Sequence, residues 1–253
     1  MITMEWLSLS KLRSNWQSQS QTFYRRILLT FSECDLCGNP TQQQTLLCST
    51  CLADLSLFNQ DLVHGDLLNW PAVHRSLPNI HFDHLFCLSP YIAPFNHWLP
   101  QLKYQGRFEL ASLFASLLAK QWQIVSSRLS VDLVLSVPLH VSKWQLRGYN
   151  QAHLIAMPFS QLLQLPYQGA ALIRIKKNVS QVGQNGKQRR NNLANAFALR
   201  QPLTKNIKHV MLVDDVLTTG STASEISKLL KSNGVEKVTV ITVCLTLPKG
   251  KIT

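Results

Sequence analysis

The segment His209-Val-Met-Leu-Val-Asp-Asp-Val-Leu-Thr-Thr-Gly-Ser-Thr222 constrains this 253-residue chain more than any other. Its first five residues are a short apolar run, the pattern of a strand buried on both faces. A polar turn follows over residues 214–220. Beyond it Ala223, Ile226, Leu229 and Leu230 recur at helical spacing, which predicts a helix over residues 221–232. Gly234 sits where helices commonly end, and residues 235–246 return as a β-branched strand. Strand, turn, helix and strand in this order imply a right-handed crossover and a parallel sheet with covered faces. The expected class is α/β, and in such sheets ligands bind beyond the carboxyl ends of the strands.

The turn has the chemistry of a binding loop. Gly220 permits backbone conformations closed to other residues and lets the chain approach a ligand closely. Thr218, Thr219, Ser221 and Thr222 set hydroxyls around backbone N–H groups at the positive end of the helix, which suits a phosphate. Asp214 and Asp215 would repel a ligand that was all phosphate, but they accept hydrogen bonds from a ribose diol. Hydroxyls toward the acids and phosphate toward the loop describe a ribose 5-phosphate. The simpler alternative is an ordinary helix N-cap, which needs one such residue rather than two acids, four hydroxyl residues and a glycine in order. The sequence holds neither a G-x-x-x-x-G-K-[ST] P-loop nor a G-x-G-x-x-G dinucleotide turn.

Near the other end, Cys34 and Cys37 form one C-x-x-C pair, and Cys48 and Cys51 form a second one. Four thiolates at this spacing suit tetrahedral Zn²⁺ in a structural knuckle, with Gly38 and Pro40 helping the first turn. An iron–sulfur centre or redox pairs are the alternatives. Cys87 and Cys244 stand alone in apolar runs and read as small buried hydrophobes. The cysteines and the stretch before them make an N-terminal helix and zinc-knuckle module over residues 1–60. A polar connection broken by Gly65, Pro71 and Pro78 leads to the main domain, residues 80–253. Trp6, Leu9, Leu12, Trp16, Phe23 and Ile27 predict an amphipathic first helix, packed on its own domain or laid on a membrane surface. Polar interruptions deny it the apolar core of a secretory signal, and no run approaches the roughly 20 residues of a membrane span, so the expected location is the cytoplasm.

Further strands are predicted at residues 85–91, 131–137, 172–175 and 197–199. Helices are predicted at 95–104, 108–125 and 140–165, the last kinked or broken at Pro158. Residues 176–190 read as a polar loop. The net charge is +12, and no Asp or Glu occurs between Leu133 and Val213, a stretch with many lysines and arginines. That distribution suits a polyanion, with a solvated basic face as the alternative. Trp144, beside Lys143 and near Arg147, could stack a nucleobase. Trp70, Trp98 and Trp122 read as core, and the spaced pair His81 and His84 as surface or capping residues without a third metal ligand.

The stretch 210–222 resembles the phosphoribosyl pyrophosphate motif of type I phosphoribosyltransferases. More narrowly, the chain resembles the ComF/GntX family, which includes competence-associated proteins. Further matches are Leu102-Lys-Tyr-Gln-Gly-Arg107, Val137-Pro-Leu-His140, Arg147-Gly-Tyr-Asn-Gln-Ala152 and residues 181–197. The resemblance implies a type I phosphoribosyltransferase-like parallel sheet flanked by helices, with the small cysteine-rich zinc module in front. It implies that Asp214 and Asp215 hold the ribose hydroxyls and that Thr218, Thr219, Gly220, Ser221 and Thr222 hold the 5-phosphate of phosphoribosyl pyrophosphate. Pro138, Leu139, Lys143 and Arg147 fall where related enzymes bind pyrophosphate, and Arg189 lies on the mobile loop that closes over the site. Mg²⁺ would arrive with the substrate. The implied role is phosphoribosyl transfer to an unidentified acceptor, linked to DNA uptake. A non-enzymatic protein that holds single-stranded DNA, or a sugar-phosphate sensor, is the alternative. No residue reads as a general base, and positioning with charge stabilisation can carry such a transfer.

Overall fold

Four apolar runs pair as the parallel sheet that the sequence predicts. The computed structural model describes residues 33–41, 45–125, 130–175 and 195–246. The amphipathic helix expected over residues 1–31, the loop 176–190 and Arg189 lie outside them. The chain divides into two units, Met1–Leu55 and Ser56–Thr253. In the first, Glu33 and Pro40 form a β-bridge around a turn at Gly38, whose positive φ of 72° lets its N–H reach Cys34 O. One helix follows, α1 (Ser49–Ala53), capped by the Cys48 sulfur.

In the second unit, a 3₁₀ turn (Leu67–Asn69) and α2 (Pro71–Ser76) precede β1 (His84–Pro90), α3 (Phe95–Tyr104) and α4 (Glu109–Val125). Then come β2 (Leu133–Ser136), α5 (Val141–Arg147), α6 (Gln151–Leu162), β3 (Leu172–Arg174), β4 (Phe197–Leu199), β5 (His209–Leu217), α7 (Ser221–Ser232) and β6 (Lys237–Leu245). The parallel sheet has the order β1-β6-β5-β2, and β3 and β4 form a separate antiparallel ribbon. Strands buried on both faces need apolar side chains both ways. Leu85, Leu135, Leu212 and Val240 meet Ala223, Ile226 and Leu230 of α7 in one core, joined by Leu67, Val73 and Leu77. Helices α4 and α6 pack on each other, α4 on β1 and α6 on β2 and β5, with Phe86 set edge-on to Trp122.

Two boundaries differ from expectation. The central strand β5 continues to Leu217 because β6 goes on pairing with it, Val216 opposite Cys244 and Leu217 opposite Leu245. Asp214 and Asp215 therefore lie in a strand, and only residues 218–220 form the turn. The helical stretch after β2 breaks at Gly148, which takes φ 77° and donates its N–H to Trp144 O, whereas Pro158 lies inside α6. A residue able to enter the left-handed region ends a helix more cleanly than a proline, which can be absorbed as a local distortion.

Candidate functional site

The four N-terminal cysteines come together. Their Sγ atoms all lie within 4.8 Å of one another, and those of Cys37 and Cys48 are 3.8 Å apart. A tetrahedral ion about 2.3 Å from each sulfur sets the sulfurs about 3.8 Å apart, whereas a disulfide needs about 2.05 Å. The Cys51 N–H points at Cys48 Sγ, a contact that favours a thiolate. The set can hold one metal ion.

The second constellation forms where β5 ends. A cleft of about 170 Å³ is lined by Asp214, Asp215, Thr222, Pro138, Leu139 and Lys143, together with Lys103, Arg147, Gln151 and Arg174. Lys103 reaches over from α3 and binds Asp215 at 2.9 Å. Burial works against the Lys103 charge, yet the Asp215 carboxylate, with Asp214 behind it, holds its pKa above the usual lysine value. For Asp214 burial comes first and the Asp215 charge second, and together they push its pKa up to about 7. The Asp215 N–H, which donates to Asp214 Oδ1 at 2.9 Å, and the charges of Lys103 and Lys143 pull the other way. The cleft thus offers hydrogen-bond acceptors at the strand end and four cations around them.

The turn between strand and helix has a different geometry from a side-chain cap. Gly220, at φ 68°, is the N-cap of α7 and provides no capping side chain. Thr219 and Ser221 bond each other through their hydroxyls at 2.9 Å. A Cβ on Gly220 would come 3.3 Å from Leu77 Cδ2, so the turn is pressed against the core beneath it. Thr219, Gly220 and Ser221 also line a second hollow of about 180 Å³ with His81, Ser224 and Lys228.

Of the residues singled out from sequence, Asp214, Asp215, Thr222, Pro138, Leu139, Lys143 and Arg147 share the cleft. Thr219, Gly220 and Ser221 line the neighbouring hollow, and Thr218 is exposed. Sequence reasoning missed Lys103, Asn150, Gln151 and Arg174. Lys103, Asn150 and Gln151 stood inside stretches already noted as family-like, and that was the signal available. His81 and His84 do not form a pair: His81 bonds Ser224, and His84 bonds Asp66 at 2.9 Å. Trp98 and Trp122 are buried, whereas Trp144 is 54% exposed on α5. No helix among the described residues is long and apolar enough to cross a membrane.

A family model described as the phosphoribosyl transferase domain matches residues 151–251. Among characterised proteins, the DNA utilization protein YhgH of Salmonella typhimurium is 31% identical over 226 residues, covering 85% of this chain and 90% of that protein. Competence protein F of Haemophilus influenzae is 35% identical over 215 residues, covering 80% of this chain and 92% of that protein. Among solved structures, the glutamine phosphoribosylpyrophosphate amidotransferase from B. subtilis, complexed with ADP and GMP, is similar at 16% identity and a TM-score of 0.38; the match covers 56% of this chain and 30% of that one. Adenine phosphoribosyltransferase from Leishmania tarentolae is similar at 16% identity and a TM-score of 0.36, over 60% of this chain and 77% of that one.

Proposed function

The chain belongs to the ComF family of competence-related proteins that carry a phosphoribosyltransferase domain, and from that premise we propose that its cleft binds phosphoribosyl pyrophosphate. One observation carries the reading: two adjacent carboxylates, Asp214 and Asp215, end the central strand inside a ring of cations, directly before a glycine turn and a helix N-terminus. Asp214 and Asp215 accept from the ribose hydroxyls, and the turn from Thr218 to Thr222 donates to the 5-phosphate. Pro138, Leu139, Lys143 and Arg147, with Arg189 from beyond the described residues, receive the diphosphate. Two carboxylates are too few for an all-protein octahedral cage, so Mg²⁺ would come with the substrate and would supply positive charge to the diphosphate near Asp214 and Asp215. Transfer breaks the bond from ribose C1 to the diphosphate, forms a bond from C1 to the acceptor, and releases pyrophosphate and the acceptor's proton. The cations stabilise the leaving charge.

The test is calorimetric titration with phosphoribosyl pyrophosphate and Mg²⁺. Binding is expected in the wild type and a loss of at least about tenfold in Asp214→Asn, Asp215→Asn. A wild type that shows neither heat nor thermal shift overturns the reading. Pyrophosphate release in the presence of an acceptor pool then separates a transferase from a sugar-phosphate sensor.

Zn²⁺ is the ion for Cys34, Cys37, Cys48 and Cys51, and its role is structural. The 3.8 Å sulfur spacing supports it; the cytoplasmic location proposed with it would keep the thiols reduced. Purified protein should carry about one zinc per chain by elemental analysis. Cys34→Ser should lose it, and full retention there would assign the metal elsewhere.

A second reading is favoured by Trp144, exposed beside Lys143 on a helix whose residues from Val141 to Leu146 are all exposed. In a chain of +12 net charge, with relatives named for DNA utilization and competence, this surface is suited to single-stranded DNA.

A further inference from the structure

Two buried hydrogen-bond donors without acceptors share the cleft. Gln151, the first residue of α6, is 2% exposed, and its Nε2 has no partner among the described residues. Arg147, at the end of α5, likewise has a buried Nε with no partner among them. Native folds seldom leave such groups unsatisfied, and where they do the group calls for an explanation. The orientation of the Gln151 amide follows from its neighbour. Arg147 Nη1 donates to Gln151 Oε1 at 2.9 Å, and because a guanidinium has only donors, the oxygen must face it and the NH₂ must face away. Arg147 is itself held in place, with Nη2 donating to the Tyr104 hydroxyl at 2.9 Å and its guanidinium carbon 4.7 Å from the centre of that ring.

Resting on the phosphoribosyl pyrophosphate reading, we infer that Gln151 Nε2 is a further recognition group for the diphosphate, beside the Arg147 already assigned to it and additional to the turn at residues 138–143. A pair that offers only donors matches a group that offers only acceptors, which a diphosphate is and a sugar hydroxyl is not. The acids at the strand end repel it, and Lys103, Lys143 and Arg174 line the same cleft and attract it. Gln151 also opens a twelve-residue helix, whose dipole favours an anion at that end. A neutral amide gives direction without adding to the charge that must later release pyrophosphate.

The experiment titrates pyrophosphate, ribose 5-phosphate and phosphoribosyl pyrophosphate, each with Mg²⁺, into wild type, Gln151→Met and Gln151→Glu. Methionine keeps the length and removes both polar atoms. Glutamate keeps an acceptor for Arg147 and replaces the donor with a negative oxygen, so it carries the test if the methionine variant does not fold. Pyrophosphate and phosphoribosyl pyrophosphate should bind about tenfold more weakly to the methionine variant and more weakly still to the glutamate one, with ribose 5-phosphate unchanged. Unchanged pyrophosphate affinity overturns the inference. An equal loss for ribose 5-phosphate also overturns it, because that would make Gln151 merely structural. A wild type that binds pyrophosphate through Gln151 but neither sugar phosphate keeps this anion site and removes the reading of the whole cleft. A wild type that binds none of the three overturns both.

Discussion

Asp214 holds its proton to about pH 7 because burial and the Asp215 charge both oppose ionisation. In the unfolded chain the same carboxyl ionises near pH 4. Between those values the folded state binds more protons than the unfolded state, so this residue makes stability fall as pH climbs from about 4 to about 7 and then level off. Asp214→Asn removes the penalty. Thermal melts should show a gain of roughly 3 °C or more at pH 8 and little gain near pH 4, at the expense of ribose binding. An equal gain at both values would locate the cost outside Asp214. Both acids, Thr222 and the turn residues were legible in the sequence because one local pattern contains them all. Lys103 was not, since its partner Asp215 is distant in sequence and only the folding of α3 beside β5 brings them to 2.9 Å. Gln151 was not either, because an amide side chain signals nothing until its surroundings show which of its atoms is left without a partner.

The turn between β5 and α7 depends on one glycine. Gly220 and Gly148 both have φ in the left-handed region, but a Cβ at Gly220 would crowd Leu77, whereas nothing lies within 4 Å at Gly148. Alanine should cost about 1 kcal/mol at Gly148 from backbone strain alone, and about 2 kcal/mol or more at Gly220, where steric crowding is added. Denaturant midpoints at unchanged m-value measure the difference. Equal costs would show that Leu77 yields freely. At this scale α3 at 95–104 and α7 at 221–232 match expectation, because their apolar stripes are local. Where strand became turn was not readable. Asp214 and Asp215 look like loop residues until β6 supplies hydrogen-bonding partners beyond them. A proline lacks the N–H and so marks a kink or a break, but Pro158 lies within α6 and Gly148, ten positions earlier, makes the stop.

Over the whole molecule, the charge is +12 and the acid-free stretch 133–213 runs past the cleft through β2, α5, α6 and the β3–β4 ribbon. If that surface holds single-stranded DNA, affinity for an oligonucleotide should fall at least about tenfold between about 50 and 200 mM salt. The paired change Arg189→Glu, Arg190→Glu should weaken it further, and Trp144→Ala should weaken it by a stacking contact. Fluorescence anisotropy that is flat in salt, or the same in these variants, removes the DNA reading. The parallel pairing of β5 with β6 was legible because that crossover is contiguous in sequence, while the placement of β1 at the far edge depends on long-range pairing. One junction joins the two chemistries of the cleft. Leu102 O accepts from the Tyr149 hydroxyl, Lys103 grips Asp215, and Tyr104 cushions Arg147, so three successive residues at the end of α3 reach both sides. A diol bound to Asp215 as proposed would compete with Lys103 for that carboxylate, one residue from the aromatic seat of the guanidinium.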